Sequence, residues 1–144
     1  MTKLQNGEIF DILVGKVSAA INRTFLRTFS AEEIYITTEQ WSVLACLWNK
    51  DKVTQQTLCS LTSKDKPSMT RLIDKLEKSK LVIRVPDQSD RRSNMIHLTD
   101  RGAQLEQRAT AIVNRIAART LNDITDDELD MCREVLRKIM NNLK

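Results

Sequence analysis

DRRSNMIHLTDRG, residues 90–102, decides how the rest of the chain is read. Asp90, Arg91 and Arg92 stand side by side. Asn94 to Leu98 then alternates like a strand and holds the only histidine, His97. Thr99 stands where a helix N-cap belongs, because its hydroxyl can accept from a free N–H of the first turn. Upstream, LVIRV (81–85) is a second strand-like run. PDQSDRRS joins the two runs. It is longer than a two-residue turn and lacks the Asn-Gly signal of such turns. The reading is a hairpin whose projecting tip carries two arginines.

Helical signals surround this hairpin. In 8–29, Ile9, Phe10, Leu13, Val17, Ile21, Phe25 and Phe29 recur every three or four residues, which predicts one amphipathic helix. TEQWSVLACLWN (38–49) predicts a second, with a capping box from Thr37 and Gln40. Its expected inner face is Trp41, Leu44, Ala45 and Trp48. TQQTLCSL opens a short helix at Thr54. After the connection TSKD, KPSMTRLIDKLEKSK predicts a fourth, with Pro67 in the first turn, where a missing N–H costs nothing. Thr99 begins a long helix to about Leu121. Thr125 and Glu128 form a TxxE box for a last helix to about Asn142. A short helix, a tight turn, a second helix and a hairpin make the outline of a winged helix-turn-helix. The expected class is therefore mainly α with a small antiparallel β-hairpin, in a single domain over 1–144.

Composition supports this outline. Three glycines and two prolines are too few for a loop-rich or all-β domain. The 41% of apolar residues suffice for a core, and no apolar run nears the roughly 20 residues that span a bilayer. No secretory signal pattern opens the chain, so a cytoplasmic protein without membrane contact is expected. Cys46, Cys59 and Cys132 are scattered and odd in number, which suggests neither disulfides nor a zinc knuckle. No metal or cofactor is expected. One histidine on a strand, no glycine-rich phosphate loop and no nucleophile–base pair argue against an enzyme. The net charge of +4 is uneven: Lys50 to Arg101 holds 12 Lys and Arg against 7 Asp and Glu. A basic middle between balanced ends fits a polyanion-binding module, and a solvated surface would give the same count.

The fourth helix has two faces on a wheel of 100° per residue. Met69, Leu72, Ile73 and Leu76 fall on one side. Arg71, Asp74, Lys75 and Lys78 fall on the other, with Ser68 and Thr70 near the N-terminal end. A major-groove helix needs this division, with hydroxyls and an arginine near base edges and lysines for phosphates. An ordinary surface helix would show the same stripe, so the order of elements carries the inference. An arginine at a projecting tip suits a narrow minor groove, where negative potential is strong. A neighbouring aspartate could fix its direction.

These residues together resemble the multiple-antibiotic-resistance regulator (MarR) family of bacterial and archaeal repressors. The resemblance lies in TTEQWSVLACLW (37–48), TQQTLCSL (54–61), KPSMTRLIDKLEKSKLVIR (66–84) and DRRSNMIHLTDRG (90–102). It implies a homodimer built from helices at about 8–30 and 99–143, flanking a winged helix-turn-helix at about 37–98. It implies that Ser68, Thr70 and Arg71 face the major groove of an operator, with Lys75 beside them. Arg92 would be the minor-groove arginine, Asp90 its orienting partner, and Arg91 a phosphate contact. Many relatives carry glycine where this chain has Lys80. A left-handed cap costs Lys more than Gly, so the helix exit is expected to be built differently. The resemblance further implies release from DNA by a small aromatic or phenolic effector, with Phe10, Phe25, Trp41 and Trp48 as candidate lining residues. Core packing is the favoured explanation for each of these four.

The function expected from all this is a dimeric repressor of a pseudo-palindromic double-stranded DNA operator. The alternative is a winged-helix interaction module docking an acidic protein partner.

Overall fold

The computed structural model describes residues 3–144. The chain runs α1 (Lys3–Asp11), a π-helical stretch (Ile12–Lys16), α2 (Val17–Ala31), α3 (Thr38–Asn49), β1 (Val53–Thr54), α4 (Gln55–Thr62) and α5 (Lys66–Lys78). It continues with β2 (Val82–Pro86), β3 (Asn94–Leu98), α6 (Asp100–Gln104), α7 (Glu106–Thr120) and α8 (Asp126–Asn142). The order matches the expected mainly helical chain with a small antiparallel sheet.

The helix starts follow the expected side-chain chemistry. Thr37 accepts from Gln40 N while the Gln40 side chain accepts from Thr37 N, a complete capping box. Thr125 and Glu128 do the same for α8. Thr54 caps α4, and Asp65 caps α5, accepting from Ser68 N at 2.7 Å. Such caps contribute about 1 kcal/mol each.

Four local readings change. The helix expected over 8–29 begins earlier and widens into the π-stretch around Gly15, with right-handed backbone kept at both ends. The helix from Thr99 is interrupted at Leu105, although Leu105 N still reaches Arg101 O and Ala109 N still reaches Leu105 O. The hairpin is a three-stranded sheet in the order β1-β3-β2, with Val53 opposite Ile96 and Thr54 opposite Met95. A two-residue strand carries no periodicity, so Thr54 could be read only as a cap. Finally, α3 buries Val43, Leu44, Leu47 and Gln40, while Trp41, Ala45 and Trp48 are half-buried. This helix meets α2, α4, α5 and β3, so burial wraps around more than one stripe.

The core is continuous. Phe25 and Phe29 of α2 stack at 4.4 Å between ring centroids, and Trp41 meets Phe25 edge-on at 6.1 Å. Met69, Leu72, Ile73 and Leu76 of α5 join it, as their spacing predicts, together with Val82, Ile96, Ile112 and Ile116.

The exit of α5 reverses the expectation for Lys80. Its φ is 62°, in the left-handed region. Lys80 N reaches Glu77 O at 2.9 Å and Leu81 N reaches Leu76 O at 3.0 Å. This is a Schellman motif, with Leu76 and Leu81 both buried as its apolar contact. Lysine takes the glycine conformation because the two hydrogen bonds and the buried pair outweigh a backbone cost of about 1–2 kcal/mol.

Gly102 secures the next joint. A Cβ there would lie 2.1 Å from Leu81 O, far inside contact distance. Thr99 Oγ1 accepts from Gly102 N at 3.0 Å and donates to Lys80 O at 2.6 Å. Trp48 Nε1 donates to Gly102 O at 2.9 Å. The glycine of the opening motif thus lets three elements meet without clearance.

Two apolar surfaces are left uncovered. Phe10, Leu13, Val17 and Ile21 are exposed at the N-terminal helices, and Met131, Val135, Leu136 and Met140 on α8. No residue of α8 is buried.

Candidate nucleic-acid interface

The groove-facing candidates lie on α5 as the wheel predicts. Arg71 and Lys75 are exposed, and Ser68 and Thr70 are half-buried near the N-terminal end. Arg71 Nη2 donates to Ser68 Oγ at 3.3 Å, so the arginine leans over the first turn. Gln55 Nε2 donates to Thr70 Oγ1 at 2.8 Å, tying α4 to α5. The Thr70 hydroxyl therefore fixes the helix pair while keeping its own proton for an acceptor outside. Asp65 accepts from the Ser68 N–H and hydroxyl, which hold its carboxyl below the usual range; Arg71 and Lys64 add to this.

The wing is ordered by its own short turns. Asp87 N reaches Ser93 O, and Ser93 N reaches Asp90 O, both at 3.1 Å. Asp90 Oδ1 accepts from Arg92 N at 3.0 Å and lies 3.9 Å from Arg92 Nε. Asp90 thus fixes the backbone of Arg92 more firmly than its side chain. The Arg92 side chain is 96% exposed, and Arg91 is exposed beside it. Arg92 and Asp90 border a cleft of about 470 Å³ with Gln55, Gln56, Lys66 and Asn94. The start of α4 and the wing tip therefore share one face.

Arg84 is the residue that reading by motif missed. From β2 it reaches Asp74 at 2.6 Å, Glu77 at 3.0 Å and the carbonyl of Thr70 at 3.2 Å. It joins the wing to α5 and offsets both acidic residues on the outer half of that helix. The signal was present: Asp74 and Glu77 are three apart on a helix, and Arg84 is the one cation inside LVIRV.

The effector candidates separate. Phe25 and Trp41 line a largely apolar cavity of about 740 Å³ between α2, α3, α7 and α8. Phe10 and Trp48 lie outside its lining; Phe10 is 68% exposed and Trp48 holds Gly102. His97 is half-buried on β3 opposite Ile83. Burial raises the Cys46 thiol pKa, away from thiolate chemistry.

The sequence profile of the MarR family matches residues 36–93. The match begins just before α3 and ends at the wing, so it covers the helix-turn-helix and the arginine tip. Solved structures extend the likeness to the flanking helices. A cysteine-to-serine mutant of E. coli MarR complexed with operator DNA is 25% identical, with a TM-score of 0.80, covering 92% of this chain and 95% of that one. The S. aureus MepR–DNA complex is 23% identical at 0.84, covering 94% and 98%. Reduced AbfR bound to DNA is 22% identical at 0.79, covering 99% and 96%. The last two likenesses speak for the fold.

Proposed function

We propose that this chain is a sequence-specific DNA-binding transcriptional regulator acting as a homodimer. In this reading it is a repressor released from a pseudo-palindromic operator by a small aromatic or phenolic ligand. The carrying observation is the single face shared by the start of α5, the start of α4 and the wing tip. Ser68, Thr70 and Arg71 are assigned to base edges in the major groove, and Lys75 and Arg91 to phosphates. Arg92 is assigned to the minor groove, with Asp90 holding its backbone. The operator DNA in the complex of the similar E. coli MarR mutant supports the DNA-binding reading.

The dimer reading, with the helices of about 8–30 and 99–143 as its interface, rests on the uncovered apolar surfaces. Contiguous exposed apolar area of this kind marks an interaction site. The ligand reading rests on the cavity beside Phe25. Trp41 lines it, and its Nε1 is buried without a hydrogen-bond partner, a state that costs about 1–3 kcal/mol. No helix among the described residues is long and apolar enough to cross a membrane.

Selection of bound DNA from a random pool, followed by anisotropy titration at increasing salt, tests the reading. A palindromic consensus and an affinity that falls steeply with salt are expected. Arg92→Ala should weaken consensus binding by about 1–3 kcal/mol and leave dimer mass unchanged in sedimentation. No consensus and a flat salt response would overturn it in favour of an acidic protein partner.

A further inference from the structure

A second cavity, of about 640 Å³, lies where the α2–α3 connection meets the exit of α5 and the start of α6. It is separate from the cavity beside Trp41 and from the cleft at the wing. Its floor is apolar, from the buried Ile34, Ile36 and Leu81. Its wall is cationic. Lys78, Lys80, Arg101 and Arg108 line it against a single carboxylate, Glu33.

Among the described residues none of these four cations forms an ion pair. Arg108 is held in place by donating to Glu32 O at 3.0 Å, which leaves its charge uncompensated. Nearby basic groups behave otherwise: Arg84 is paired with two carboxylates and Arg115 with Glu32. Tyr35 also lines the cavity and is 75% exposed, so a large aromatic face stands at the mouth.

The cluster is remote from the groove-facing turn. At 1.5 Å per residue, Lys78 lies about 15 Å along α5 from Ser68. An apolar floor, an aromatic rim and a cationic wall on the scale of ligand sites describe a pocket for an amphiphilic anion. Four cations against one carboxylate exceed what a monocarboxylate neutralises. Arginine forks match phosphoryl oxygens, and a tyrosine ring offers a stacking surface.

We propose that this cavity binds a small organic phosphate. Its phosphoryl oxygens meet the Lys78, Lys80, Arg101 and Arg108 wall, and its ring or other apolar body lies against Tyr35 and the floor. The proposal stands apart from the DNA reading, because binding is measured with no DNA present.

Isothermal titration of the full chain with ADP, pyrophosphate, adenosine and benzoate tests it. ADP should bind, pyrophosphate more weakly, and adenosine and benzoate without measurable heat. Arg101→Gln and Lys78→Gln should each weaken ADP binding at least about tenfold, the scale of one charge-assisted contact. Arg91→Gln, on the wing, should leave ADP affinity unchanged. Thermal melts of the variants should match the parent. Absence of ADP binding, equal ADP affinity in an Arg101→Gln/Lys78→Gln double variant, or an equal loss in Arg91→Gln would each overturn the site. Benzoate binding as tightly as ADP would overturn the phosphate class.

Discussion

Glu77 gives both carboxylate oxygens to Arg84: Oε2 accepts from the Arg84 backbone N–H at 3.1 Å, and Oε1 from Nη1 at 3.0 Å. The wing is thereby held to α5 through a side chain and a main chain at once. Arg84→Ala should cost about 1–2 kcal/mol of stability, since the arginine is largely buried but its partners face solvent. It should also weaken DNA binding about tenfold, because the wing loses its fixed angle and Asp74 and Glu77 are left unneutralised. Arg84→Lys should rescue little, since lysine has no planar fork. Denaturant melts and operator titrations check both effects; unchanged affinity would refute the positioning role.

Gly102→Ala should be among the most damaging small substitutions in the chain. Its Cβ would meet a backbone oxygen, which cannot rotate away as a side chain can. A loss of about 2–3 kcal/mol is expected in a urea melt. A loss under about 0.5 kcal/mol would show that the joint relaxes.

Lys80→Gly should act in the opposite direction. Lysine at φ 62° bears a steric cost that glycine lacks, and the Schellman hydrogen bonds involve backbone alone. A gain of about 1 kcal/mol is expected, reduced by glycine's larger unfolded-state entropy. The same substitution should weaken ADP binding if Lys80 belongs to the cationic wall, so one variant separates the two roles of this residue.

Asp65 sets an acid limit on the start of α5. Its folded pKa lies below the ordinary 3.8, chiefly through the Ser68 backbone N–H. A depressed acid contributes stability that is full above its ordinary value and lost as pH falls through the lower folded value. The protection factor of the Ser68 amide, corrected for intrinsic exchange, should therefore be constant above about 3.8 and fall relative to other helix starts only below it. Asp65→Asn should retain the cap and lose that pH dependence.

Much of this fold was readable because its signals are local. Thr37, Thr54, Thr99 and Thr125 announce their helices by hydroxyl chemistry within one turn. Met69, Leu72, Ile73 and Leu76 announce a buried face by period alone. What stayed hidden depends on contacts between distant segments. Val53 and Thr54 become a strand only because β3 lies beside them. Lys80 accepts a left-handed backbone only because Leu76 and Leu81 close over it. Arg84 is one residue of a strand-like run until α5 places two acids opposite it. Of the four aromatic candidates, only Phe25 and Trp41 meet at one cavity, and no spacing distinguished them from Trp48, which serves a backbone carbonyl.

The contact without clearance at Gly102 has a mechanical consequence. Thr120, at the far end of α7, lies roughly 22 Å along that helix from Leu105, where α7 follows α6. Ile116, Thr120 and Leu121 line the cavity beside Trp41. A tilt of about 5° pivoting at Gly102 would sweep that far end through about 2 Å, by the same helix dimensions. A bearing with no slack transmits in both directions. The cavity wall is the long arm of a lever, and the exit of α5 is the short one.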